Sequence, residues 1–116
     1  MRQSSLRIGL ALGLLAGLSA AHAQTPAPAP LEIPLTIEQH KFTPAELKVK
    51  AGQAFVLVIT NKDATPEEFE SKELRVEKVI PANKTLKLRM PALKPGTYKF
   101  FGEYHEATAQ GRIVAE

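Results

Sequence analysis

The chain contains no cysteine, so it has no disulfide framework, thiolate zinc site, iron–sulfur cluster or cysteine nucleophile. Any metal it holds must be bound through histidine, carboxylate, methionine or backbone oxygen. Aromatic residues are few, five Phe and two Tyr, and the lysines and glutamates are interspersed with no run of like basic charge. Together these shortages leave no stacking platform and no phosphate-tracking stripe, so no nucleic-acid partner is expected. The formal charge of +3 overstates the basic character, because Arg2 and Arg7 fall in a removable N-terminal segment. No glycine-rich phosphate loop is visible, and the histidines are too few to argue a Ser-His-Asp hydrolase.

What is present begins with the layout of a secretion signal over residues 1–23. A basic start is followed by an apolar run from Ile8 to Ala21 and by Ala21-His22-Ala23, an A-x-A cleavage pattern. Cleavage after Ala23 and export to the periplasm are expected, leaving about 93 residues, enough for one small domain but not for two independent cores. The apolar run is short and rich in Gly and Ala, against the roughly 20 apolar residues of a spanning helix, so no stable membrane insertion of the mature chain is expected. Residues 24–30 form a Pro/Ala linker of extended, tether-like character, and residues 31–116 form the folded domain. His40 and His105 are then the only mature histidines.

From Leu31 onward short apolar runs alternate with turn residues. Ile33, Leu35 and Ile37 alternate with Pro34, Thr36 and Glu38, a half-buried strand with Pro34 where an edge tolerates it. Leu47 and Val49 alternate up to Ala51-Gly52. Ala54 to Thr60 is a continuous apolar run fit for a central strand, closed by the turn signal Asn61-Lys62-Asp63. Further strands are expected around Phe69, from Lys78 to Ile80, Thr85 to Met90, Thr97 to Phe101 and Gly111 to Ala115, with a turn or short helix near Leu74. The pattern predicts an all-β fold, an antiparallel Greek-key β-sandwich of about seven or eight strands.

Three segments carry more than strand chemistry. Phe42-Thr43-Pro44-Ala45-Glu46-Leu47-Lys48-Val49-Lys50-Ala51-Gly52 resembles the F-x-P-x-x-(L/I)-x-V-x-x-G opening of the small blue-copper proteins, the cupredoxins. Asn61-Lys62-Asp63-Ala64-Thr65-Pro66 resembles their N-x-D-x-x-P turn, after which the family places its first copper-ligating His. Gly96 to His105, followed by Gly111-Arg112-Ile113-Val114, resembles the G-x-Y-x-F-x-C-x-x-H hairpin and the final strand. The departures are equally specific. Glu67, or its neighbour Glu68, stands where the first ligand His belongs, Gly102 replaces the ligand Cys, and the axial Met position falls near Ala109 or Gln110. Only His105 matches a ligand, and without a thiolate no blue-copper centre can form.

The altered set is similar to the cupredoxin-like subfamily of bacterial periplasmic iron uptake. That resemblance implies an exported metal-binding accessory protein, with copper or iron as its ion and a membrane iron permease and periplasmic iron-binding proteins as partners. A small copper-dependent ferroxidase and a metal-free, cupredoxin-shaped protein-binding subunit are the alternatives, so enzymatic activity stays open. The candidate metal ligands are His105, Glu67 and Glu68, joined by Glu103, Glu106 and His40. Adjacent strand residues face opposite sides, so Glu67 and Glu68 are alternatives, with spacing in favour of Glu67. Glu67/Glu70, Glu70/Glu73 and Glu103/Glu106 form E-x-x-E pairs able to supply hard donors, against a default of solvated surface charge. Met90 reads as core, Tyr98, Phe100 and Phe101 as an apolar wall, and Tyr104 as a hydrogen-bond partner beside His105.

Overall fold

The computed structural model describes residues 29–116 together with Gly9 and residues 13–17. The expected cleavage site, most of the secretion signal and most of the Pro/Ala linker lie outside the described residues. Among the described residues no helix is long and apolar enough to cross a membrane.

Among the described residues nine strands follow one another: β1 (Leu31–Glu38), β2 (Lys41–Thr43), β3 (Glu46–Val49), β4 (Phe55–Asn61), β5 (Glu67–Ser71), β6 (Val76–Ile80), β7 (Thr85–Met90), β8 (Gly96–Phe101) and β9 (Gln110–Ala115). A 3₁₀ turn, Glu103–His105, links β8 to β9. The strands form a four-stranded sheet in the order β2-β1-β4-β7 and a five-stranded sheet in the order β3-β9-β8-β5-β6. Both sheets are mixed, because β1 pairs parallel with β4 and β3 parallel with β9. The chain crosses to the second sheet for β3 and returns beside β1, so β4 arrives in the same direction. This corrects the antiparallel expectation, since alternation along a strand records which face is buried and not which way the neighbour runs. The ninth strand is β2, whose three residues include a single buried one, Phe42, too little to register as alternation.

β4 is central, as its continuous apolar run implies, lying between β1 and β7. Pro34 sits in the part of β1 that β2 does not reach, since their pairing begins at Thr36, and its missing N–H costs no ladder bond on that side. Leu47 and Val49 are buried on alternate positions of β3, and in the turn that follows the strand Gly52 takes a left-handed conformation (φ +79°) that glycine adopts without a Cβ penalty. Leu74 lies in the turn between β5 and β6, half-buried against the core. Met90 is buried in the core, where it faces Phe55 across the β4/β7 ladder.

Between the sheets Phe42, Phe69 and Phe100 form an aromatic cluster, with centroid separations of 6.1 Å, 5.0 Å and 4.9 Å. The two contacts made by Phe42 are edge-on, the geometry that the ring quadrupoles favour. Each ring stands two residues from a position of interest at one pole: His40, Glu67 and Gly102. Strand alternation therefore makes this cluster the floor of whatever is built there.

Candidate metal centre

The pole is assembled from three connections. The first is the tight turn between β1 and β2, in which Gln39 and His40 both have positive φ (53° and 57°). Two consecutive left-handed residues make a turn matched to strand twist, a conformation that ordinary side chains resist and that needs external support. Asp63 supplies it: one carboxylate oxygen accepts from Gln39 N–H at 2.8 Å and the other from His40 N–H at 3.0 Å. These bonds, that from His40 foremost, hold the Asp63 carboxyl below its ordinary range despite partial burial. Asp63 is itself fixed by the buried Asn61, whose side-chain oxygen accepts from Asp63 N–H at 3.0 Å while its amide donates to the carbonyls of Thr65 and Ile80. The N-x-D-x-x-P segment thus presents His40 from a different part of the chain.

The second contributor is β5, with Glu67 on the face of Phe69. Glu67 is 1% exposed, yet its carboxylate is fully engaged. Oε1 accepts from the N–H groups of Glu68 (2.9 Å) and Tyr104 (3.2 Å), and Oε2 lies 2.6 Å from His105 Nδ1. The third is the 3₁₀ turn, which carries His105 over β5. The His105 ring stacks on that of His40 with centroids 3.6 Å apart and planes 16° from parallel. Each of His40, Glu67 and His105 offers a ligand atom, and the three atoms lie within 4.8 Å of one another.

Gly102 explains how Glu67 reaches this position. A Cβ at residue 102 would lie 2.6 Å from Glu67 Oε1, 2.7 Å from its carboxyl carbon and 2.9 Å from Ala109 Cβ. The backbone there is extended (φ −101°, ψ 112°), so the lack of a side chain serves space rather than conformation. The Glu67 carboxylate fills the volume beside position 102, where the resemblance places a thiolate, and Ala109, one of the two positions near which it places the axial methionine, packs against the same spot.

These donors do not fit a blue-copper centre, which requires thiolate sulfur. Their donor types do suit an ion bound through imidazole and carboxylate, which both histidines can reach once one of the stacked rings turns its in-plane nitrogen toward the other donors. His40 Nδ1 is buried without a hydrogen-bond partner, its distance of 3.6 Å to Asp63 Oδ2 being too long for one. A buried ring nitrogen left unsatisfied costs about 1–3 kcal/mol, and a metal ion would supply its partner.

The remaining sequence-derived candidates separate. Glu68 faces away from Glu67 across β5 and is 2% exposed. It gathers with Glu70, Glu77 and Glu103 in a second group whose ligand atoms also lie within 4.8 Å of one another. Burial, reinforced by the Glu103 and Glu77 carboxyls, pushes the Glu68 carboxyl up to about 8. Partial burial and the charges of Glu77 and Glu103 also raise Glu70. Glu106 joins neither group; it is exposed, and its carbonyl accepts from Gln110 Nε2 at 2.8 Å.

The E-x-x-E spacing does not pair carboxylates here. Glu67 and Glu70 fall on opposite faces of β5, and Glu73 instead accepts the Lys99 N–H at 2.6 Å. Tyr104 meets the site through its backbone N–H, its side chain being half exposed. Phe100 belongs to the core floor, Phe101 is half-buried beside Lys72, and the Tyr98 hydroxyl donates to Lys94 O. Asp63 and Glu77 are additions that the sequence reading did not single out as site residues. The N-x-D spacing was a signal for Asp63, whereas the importance of Glu77 depends on its pairing with Glu70 across β5/β6.

The chain matches the cupredoxin-like domain over residues 8–115. An uncharacterized protein of Rickettsia prowazekii (strain Madrid E) is 42% identical over 80 residues, covering 69% of this chain and 64% of that protein. The chain therefore spans just under two thirds of that relative's length. Among solved structures, auracyanin A, a blue copper protein of Chloroflexus aurantiacus, has a TM-score of 0.65 at 19% identity, over 76% of this chain and 100% of its own. The metal-binding domain of the Streptococcus pneumoniae D39 Cu(I)-exporting P-type ATPase CopA, solved with Cu(I), has a TM-score of 0.65 at 14% identity, over 73% and 84% of the two chains. Amicyanin from Paracoccus versutus has a TM-score of 0.57 at 20% identity, over 81% and 87%. At such identities these structures share the fold.

Proposed function

The chain belongs to the cupredoxin-like domain family, and from that premise we propose that it is an exported, periplasmic metal-binding protein whose ion is held by His40, Glu67 and His105. The observation that carries this reading is the convergence of three ligand atoms within 4.8 Å of one another, one residue of the three having a buried nitrogen without a partner. Copper(II) is the first ion to consider. Imidazole and carboxylate donors both accept it, and among first-row divalent ions it stands highest in affinity for such sites. The auracyanin neighbour is a blue copper protein and the CopA domain binds Cu(I), which supports copper as the metal.

The residues divide the work. His40 and His105 supply nitrogen from rings that remain partly accessible, and Glu67 supplies a hard oxygen while orienting the His105 ring through Nδ1. Asp63 and Asn61 hold the His40 turn. Bound copper would supply one-electron chemistry without the thiolate that gives blue-copper sites their colour. The cellular role is service to a ferrous iron uptake system with a membrane permease, a reading supported by the sequence resemblance and by carboxylate standing in place of sulfur.

Deleting the gene and measuring iron uptake under ferrous limitation tests this role. Reduced uptake, restored by the parent protein and not by the His105→Ala/Glu67→Ala double variant, is the expected result. Uptake equal to that of the parent strain rejects the iron role, and full rescue by the double variant favours a metal-free binding subunit. Oxygen consumption with ferrous iron and the copper-loaded protein distinguishes a ferroxidase from a carrier.

A further inference from the structure

We propose that Glu68, Glu70, Glu77 and Glu103 form a second, oxygen-only cation site that takes a hard divalent ion such as calcium or Mn(II), on the opposite face of β5 from the His40/Glu67/His105 centre. Four carboxylates from three elements meet there. Glu68 and Glu70 are alternate residues of β5 and share a face, Glu77 is the direct cross-strand partner of Glu70 on the edge strand β6, and Glu103 opens the 3₁₀ turn. One ligand atom from each lies within 4.8 Å of the other three, a spacing that a single ion with oxygens at about 2.3–2.6 Å can span.

A cluster of glutamates on a surface is common without any ion, but this one has a buried member. Glu68 is 2% exposed, and its Oε1 is buried without a hydrogen-bond partner. Like charges placed directly across a ladder, as Glu70 and Glu77 are, destabilise the pair unless something lies between them. A hard cation answers each of these features: it gives Glu68 Oε1 a partner and offsets the mutual repulsion. Carboxylate oxygens without nitrogen or sulfur suit calcium, magnesium and manganese rather than Cu(I). Glu77 and Glu103 are exposed, which leaves an entry path and room for water to complete the coordination shell.

The site is independent of the copper reading, and the variants separate the two. The metal-free full chain is titrated with Mn(II), followed by loss of the free-ion paramagnetic resonance signal, and then with calcium as competitor. The expected result is one Mn(II) per chain displaced by calcium, with affinity falling at least tenfold in Glu77→Gln/Glu103→Gln and unchanged in His105→Ala. Both substituted glutamates are exposed, so the fold is retained, and circular dichroism checks it. The proposal is overturned if neither Mn(II) nor calcium binds the parent at millimolar concentration, since a shared proton then satisfies the cluster. It is equally overturned if binding survives the double substitution or is lost in His105→Ala.

Discussion

Gly102→Ala should be far more damaging than a glycine-to-alanine change in an extended segment ordinarily is. Residue 102 has φ −101° and ψ 112°, values that alanine adopts readily, so the backbone contributes no penalty. The whole effect comes from the new methyl group, 2.6 Å from Glu67 Oε1 and 2.9 Å from Ala109 Cβ. Glu67 cannot simply swing aside, because its carboxylate is buried and bonded to two N–H groups and to His105. Overpacking costs about 1–3 kcal/mol, and a displaced hydrogen bond to a charged group about 1.5–3 kcal/mol. A loss of roughly 2.5–6 kcal/mol follows, and at about 4–8 °C per kcal/mol for a domain of this size the midpoint should fall by at least about 10 °C. Thermal unfolding in chelator measures it. Because the clash is mainly with Glu67, a double-mutant cycle with Glu67→Ala should show coupling of about 1 kcal/mol or more. A Gly102→Ala midpoint within about 2 °C of the parent, or additive effects in the cycle, would refute the reasoning.

Two further outcomes follow from the charges around the site. Asp63→Ala removes the acceptors for the Gln39 and His40 N–H groups, so Cu(II) affinity should fall about 10–100-fold, the usual range for a group that orients a ligand, while circular dichroism keeps its β signature; unchanged affinity would mean that the turn holds His40 without it. Glu68 has its carboxyl raised from an ordinary 4.5 to about 8, so the native state binds its proton more tightly than the unfolded chain does. This contribution to stability is fully present below about pH 4.5 and is lost as pH rises toward 8. In chelator, Glu68→Gln should therefore raise the unfolding midpoint at pH 8 relative to the parent and do much less at pH 5; equal effects at the two values would contradict the burial argument.

The strands were legible because most of them are periodic. Leu47 and Val49, the Ala54 to Thr60 run and Thr85 to Met90 each bury what their pattern implies. Their partners were not legible, since the parallel β1/β4 and β3/β9 pairs depend on where the chain crosses between sheets. At the pole, spacing favoured Glu67 over Glu68, and Glu67 is the residue that meets His105. The place of His40 could not be read from its neighbours, because it is set by a carboxylate 23 residues away. The acidic group was hidden for a related reason. The E-x-x-E rule looks three residues along the chain, whereas a strand brings together residues two apart and residues across the ladder, here Glu68 with Glu70 and Glu70 with Glu77.

The central claim, an ion held jointly by two imidazoles and a carboxylate, is tested most directly by electron paramagnetic resonance of the metal-free protein loaded with one equivalent of Cu(II). The expected spectrum shows coupling to two imidazole nitrogens, with one lost in His40→Ala and the other in His105→Ala, and the solution lacks intense blue thiolate absorption because the chain has no cysteine. Failure to bind one equivalent, or a spectrum identical in the parent and in both histidine variants, would contradict the assignment.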